Sequence, residues 1–193
     1  MNTPRLSPLP VNEQTDDLRH LLQQLAGPQG IPNLYSTLAR HEATFRRWLA
    51  FGATLLHGSL PPRLRELLIL RTAWHCRSDY EFGQHTLIGQ AAGLSLEEIT
   101  RVTAAGRDGR GWAAPDAAVL RAADELHDTA TLSEATWLAL SALLDDAQLI
   151  ELLMVAGQYH LVAYCANALA VDLDEGLPRL PEKASPPSPT HRR

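Results

Sequence analysis

Glu66, Ser78, Glu81 and His85 are the residues whose types and spacing could do chemistry. They lie in one stretch, ELLILRTAWHCRSDYEFGQH, from Glu66 to His85. Ser78, Glu81 and His85 are three and four residues apart, so a helix sets them on one face. Glu66 falls on the helix before. In an antiparallel hairpin, Glu66 lies about 15 Å before the turn and His85 about 10 Å after it, within reach of two long side chains. A carboxylate bonded to one imidazole nitrogen fixes the tautomer and leaves the other nitrogen to move a proton. His85 is therefore the candidate proton shuttle and Glu81 its partner or a second acid. Glu66 would orient or relay, and Ser78 would bond substrate. Arg71 is the candidate clamp for a substrate carboxylate. Trp74 and Tyr80 could line a pocket or simply fill the core.

Each assignment has a plain structural competitor. Ser78-Asp79-Tyr80-Glu81 is also a capping box, which needs no function. Glu66 in an apolar helix must be paired, and an arginine such as Arg71 could do that as structure. A metal held by Glu66, Glu81 and His85 is geometrically conceivable, but only one histidine is well placed, so no metal is expected. His75 and His160 read as core histidines. Cys76 and Cys165, far apart and outside any Cys-x-x-Cys pair, read as small buried residues.

The elements around this stretch read as helices throughout. Residues 1–15, rich in proline and polar residues, form an extended arm. Asp16 and Asp17 could cap a first helix carrying Leu18, Leu21, Leu22 and Leu25. Gly27, Pro28, Gly30 and Pro32 interrupt the chain, and a short and a longer helix follow to about His57. Pro61 and Pro62 suit the first turn of the helix holding Glu66 and Trp74. The next helix runs from Tyr80 to about Ala92 and ends at Gly93. Capping boxes at Ser95/Glu98 and Asp145/Gln148 start two more, and Pro115 and Ser133 open others. Residues 106–114 are a glycine-rich loop. The last helix reaches about Val171, and the tail from Pro178 to residue 193 is too rich in proline to pack. No segment alternates with period two, so the fold class is all-α. Glu-Leu-Leu recurs 85 residues on at Glu151, where Ala163, Ala166 and Ala170 stand in place of Ser78, Glu81 and His85.

Bulk properties exclude several classes. The 193 residues are 45% apolar and carry a net charge of −5 with a pI near 5.9. Nucleic-acid binding needs a concentrated basic surface, so it is not expected. The single lysine, Lys183, is in the tail, which argues against a Schiff-base cofactor. No cofactor is expected. No signal peptide is visible and no apolar run approaches the roughly 20 residues of a membrane span. A cytoplasmic location without membrane partners is the expectation.

Residues 32–175 resemble the carboxymuconolactone decarboxylase family, which includes the AhpD-type alkylhydroperoxidases. The resemblance is strongest over PNLYSTLARH, LPPRLRELLILRTAWHCRSDYEFGQHTLIGQAAGLSLEEI and QLIELLMVAGQYHLVAYCANALAVDLDEG. It implies an AhpD-like helical bundle over residues 16–175, with an antiparallel helical hairpin at its core and assembly as a homo-oligomer, a trimer or hexamer. The peroxidase branch of that family carries Glu, Cys-x-x-Cys and His. On this chain those positions are Glu66, Ser78, Glu81 and His85, so both sulfurs are missing. Peroxide reduction needs a thiolate and a resolving partner. The departure argues against disulfide-based peroxidase chemistry and leaves the glutamate–histidine relay.

The Tyr-Glu-Phe-x-x-His segment resembles the decarboxylase branch of the family more closely, and that resemblance implies a cofactor-free general acid/base enzyme acting on a small carboxylated or lactone-type substrate, of decarboxylase or isomerase type. One alternative is a peroxidase using Cys76 alone. The other is a non-catalytic oligomeric binding module.

Overall fold

The computed structural model describes residues 3–27, 30–103 and 111–181. Most of the glycine-rich stretch 106–114 and the tail beyond residue 181 lie outside them. The described residues form helices and no strand, in agreement with the all-α expectation. The helices are α1 (Asp16–Gln24), α2 (Asn33–Leu38), α3 (Glu42–Leu56), α4 (Pro62–His75), α5 (Asp79–Ala91), α6 (Leu96–Val102), α7 (Ala114–Thr129), α8 (Glu134–Ser141) and α9 (Asp146–Ala168).

Helix α4 is the hub. It packs against α5, α6, α7 and α9. A helix surrounded on all sides must be apolar all round or pair every charge it carries. Leu67, Leu68, Ile69, Leu70 and Ala73 are sealed from solvent. Arg65, Glu66 and Arg71 are buried too, and each is ion-paired. The helix ends at Cys76, and Arg77 adopts a left-handed φ of 55°, an unusual conformation for a side chain larger than asparagine. That residue turns the chain into α5. Glu66, early in α4, meets His85, midway along α5, so the two helices form the expected antiparallel hairpin.

Caps set where helices begin. The boxes at Ser95/Glu98 and Asp145/Gln148 are both complete. Thr15, rather than Asp16 or Asp17, caps α1 by accepting from the Leu18 amide, while the two aspartates occupy its first turn, where they suit the helix dipole. The internal echo of Glu-Leu-Leu has no structural counterpart. The first copy is broken into two helices at Arg77, whereas α9 runs unbroken through Ala163 and Ala166. Glu151 instead accepts from the backbone amides of Ser59 and Leu60.

Packing corrects the expectation for the first residues of the tail. The segment 178–181 docks: Leu180 donates its amide to Asp79, Arg179 pairs with the same carboxylate, and Leu180 packs on the main core. It passes so close to α5 that a Cβ on Gly83 would come within 2.8 Å of the Pro178 carbonyl. The N-terminal arm is likewise tied down, with the Arg5 amide on Leu169 and the Leu9 amide on Ser36. Helix α9, at 23 residues, has the length and composition of a membrane span, contrary to the sequence expectation. In this fold it is a core helix, packed on α3, α4, α5 and α8.

Candidate functional site

A cavity of about 280 Å³ lies between the N-terminal helices and helices α5 and α9. Its wall is mostly apolar: Leu34, Trp48, Leu49, Leu56, Ile88 and Val162 among others. Helices α2 and α3 supply one side, α5 and α9 the other. The polar groups reaching it are Glu81, Gln84, His85, His57, Gln158 and the tyrosines 35, 80 and 159. Neither arginine nor lysine is among its described lining residues.

Glu66 and His85 are brought together as expected. The Glu66 Oε2 accepts from His85 Nδ1 at 2.7 Å, and Oε1 accepts from Arg65 Nε at 2.9 Å. Burial disfavours the charged carboxylate, but the pull of His85 and Arg65 outweighs it and holds Glu66 below its usual range. An ionised carboxylate only accepts, so Nδ1 carries the hydrogen and Nε2 is the nitrogen left for chemistry. The Tyr159 ring stands edge-on to the imidazole, with centroids 4.7 Å apart, and fixes its plane. Arg65 is itself anchored by donating to the Leu56 carbonyl at 2.6 Å. Neither Arg65 nor Tyr159 was singled out for this role in the sequence. Arg65 carried a usable signal, since it adjoins a glutamate in an otherwise apolar helix.

Ser78 and Glu81 separate. Ser78 is the N-cap of α5, accepting from the Glu81 amide at 3.4 Å. A capping box would also have Glu81 reach back to the cap, and it does not. Both Glu81 carboxylate oxygens are buried without a hydrogen-bond partner, and the residue is 1% exposed. Burial pushes this carboxyl well above its ordinary range, with the Ser78 hydroxyl acting in the opposite direction. An unpaired carboxylate in such surroundings is costly, so the group is held as the neutral acid. The residue borders the cavity. The Tyr159 hydroxyl is pushed above the ordinary phenol range, first by burial and then by the charge of Glu66.

Three other expected residues are placed differently. Arg71 does not line the cavity. Its guanidinium forks onto Asp124 of α7 at 2.6 and 3.1 Å and donates to the Val102 carbonyl. Trp74 lies under the guanidinium groups of Arg71 and Arg77, away from the cavity. Tyr80 does line it, but its hydroxyl is committed, accepting from the Leu34 amide and donating to Asp174. It is a wall, with its proton held more tightly than in a free phenol by burial and by Asp174.

Comparisons with known proteins bear on the fold. Residues 42–125, just under half of the chain, match the Carboxymuconolactone decarboxylase family. No curated protein matches significantly. Among solved structures, an uncharacterized peroxidase-related protein from Ralstonia eutropha JMP134 with an alkylhydroperoxidase AhpD core superposes with a TM-score of 0.76 at 20% identity, covering 90% of this chain and 95% of that one. An uncharacterized peroxidase-related protein from Silicibacter sp. TM1040 gives 0.70 at 16%, covering 89% and 90%. A cysteine-to-alanine form of the debrominase Bmp8, in complex with 2,3,4-tribromopyrrole, gives 0.72 at 13%, covering 91% and 94%.

Proposed function

We propose, from the match of residues 42–125 to the carboxymuconolactone decarboxylase family model and from the AhpD-like course of the helices, that this chain is a cofactor-free general acid/base enzyme for a small, largely apolar ring or lactone-type substrate. The observation that carries the reading is the pairing of an oriented base with an unemployed acid on one apolar cavity: His85 set by Glu66, and Glu81 held neutral.

In this reading His85 Nε2 takes or returns a proton on the substrate. Glu66 holds the ring in place and stabilises the imidazolium that forms. Glu81 gives a proton to the carbon or oxygen on which negative charge develops. A substrate carboxylate would meet no cation in the wall, so it would be desolvated, a condition that favours loss of carbon dioxide. The carbon–carbon electron pair then passes into the conjugated ring system, the Glu81 proton caps it, and His85 or solvent restores the acid. The carboxylate clamp first assigned to Arg71 has no place in this scheme. Ser78 acts through the backbone by fixing the start of α5.

The thiol alternative finds no support in the geometry. Cys76 is half-buried, does not line the cavity, and its thiol is pushed up to about 12, chiefly by burial. Self-association, with a trimer or hexamer as the expectation, would use the exposed row Ile150, Leu153, Met154, Leu161 and Tyr164 on α9, and sedimentation as a monomer would discard it.

The test is the ultraviolet time course of 4-carboxymuconolactone and a panel of uncharged lactones with the full chain, beside His85→Ala and Glu81→Gln. Loss of a compound with wild type but with neither variant is the expected outcome. Turnover that survives His85→Ala overturns the assignment.

A further inference from the structure

On the far side of α4 from the cavity, three helices bring a second group of chemistry-bearing side chains together. Cys76 stands at the C-terminal end of α4, His127 in the last turn of α7, and His160 in α9. One ligand atom from each lies within 4.8 Å of the others. The His127 Nδ1 and His160 Nε2 atoms face each other at 3.0 Å. We propose that Cys76, His127 and His160 bind one zinc-type divalent transition-metal ion, with a fourth position open to solvent.

The donor set is one thiolate and two imidazoles, the mixture that suits zinc and its neighbours rather than calcium or magnesium. The spacing is close to what tetrahedral bonds of about 2.0–2.3 Å require, so only small side-chain adjustments close it. The surroundings of the ligands are already organised. His160 Nδ1 donates to the Ala156 carbonyl at 2.8 Å, which leaves Nε2 as the bare nitrogen. A second-nitrogen bond of this kind orients metal-binding histidines in general. The His127 ring is stacked on His75 with centroids 4.6 Å apart, and His75 is held by Asp124. Asn167 donates to the Cys76 carbonyl and fixes the backbone there. His127 is exposed, which gives an ion a path in and a water its fourth position.

Binding is a proton-balanced exchange. The ion forms one bond to sulfur and two to nitrogen, and the Cys76 thiol proton leaves to buffer. His127 keeps its proton by moving it from Nδ1 to Nε2. No change of oxidation state is involved. The clasp would join the C-terminal ends of α4 and α7 to the body of α9, next to the turn from which α5 departs. The ion would thus stiffen the base of the helix that carries Glu81 and His85 without entering the cavity.

Cobalt(II) is the probe, added to the full reduced chain after chelator treatment. The expected result is one equivalent bound per chain, with visible ligand-field bands of tetrahedral strength and a near-ultraviolet sulfur-to-cobalt charge-transfer band. Cys76→Ser should abolish that band while thermal melting shows the protein still folded. His160→Gln should weaken binding at least about tenfold. Cys165→Ser, which removes the other thiol, should change neither. Absence of the charge-transfer band in wild type, or its survival in Cys76→Ser, overturns the proposal.

Discussion

Helix α4 carries a carboxylate–imidazole pair on each of two sides. On one side Glu66 holds His85 at 2.7 Å with Arg65 as a third member. On the other, Asp124 meets His75 at 2.5 Å with Arg71 as a third member. In composition the two triads are nearly the same. Their outer sides differ. His85 borders a cavity that also holds a neutral, unpartnered Glu81, whereas His75 is covered by the stacked ring of His127 and the edge of Trp74. An acid–histidine pair is therefore not a site in itself. What distinguishes the two triads is space next to the imidazole and a second titratable group beside it.

The largest expected effect bears on that contrast directly. His85→Ala should lower turnover of an accepted substrate by about 10²–10⁴-fold, the usual worth of a positioned acid or base. His75→Ala should leave the cavity chemistry within a few-fold of wild type. Steady-state kinetics on both variants would erase the distinction if their losses were alike.

Stability should show the opposite ranking. Asp124→Asn strips Arg71 of its buried partner and should cost about 3–5 kcal/mol, or about 6–20 °C in melting temperature for a chain of this size. A thermal melt with no shift would mean that this triad is as dispensable to folding as an exposed pair.

The pH dependence of stability isolates Glu81. Its folded carboxyl ionises well above the ordinary value of 4.5. The protonated form is therefore favoured by folding, and its contribution is full below about pH 4.5. It is lost as pH rises through the folded value, with a slope of up to about 1.4 kcal/mol per pH unit. Glu66 has the opposite sign, contributing above its unfolded value and losing that contribution as pH falls through its lowered folded value. Glu81→Gln should flatten the neutral-side slope in denaturant titrations, and an unchanged slope would show that the carboxyl is not held protonated.

The smallest effect is the cap. Ser78→Ala should cost about 0.5–2 kcal/mol and reduce activity only as far as α5 loosens. A fall in turnover as deep as that of His85→Ala, in a protein that melts normally, would restore Ser78 to the chemistry.

Much of this was legible from residue spacing. The hairpin followed from two helices joined at a polar break. The Glu66–His85 contact followed from their distances along it. Ser95 and Asp145 announced their helices because a capping box is a local device, and no distant residue was needed to form it. Two matters were not legible for a shared physical reason. Ser-x-x-Glu is the same string whether the glutamate turns back to the cap or inward, and only the packing around α5 decides that Glu81 turns inward. Arg71 looked available for substrate because its partner, Asp124, is 53 residues away on a helix whose facing side the sequence does not specify. Cys76, His127 and His160 were separately unremarkable, and three helices had to converge before they formed a group.

The cavity wall has a consequence for how such a protein can diverge. Glu66, Glu81 and His85 all fall within residues 42–125, the stretch that matches the family. Leu25, Pro32, Leu34 and Tyr35 on one side, and Gln158, Tyr159 and Val162 on another, fall outside it. On the proposed reading, inheritance of the acid and base is thus uncoupled from inheritance of part of the surface that lines the cavity. Drift in the N-terminal helices or in α9 can give descendants with new substrates and the same acid and base. Two chains that match equally well over this stretch need share no metabolite.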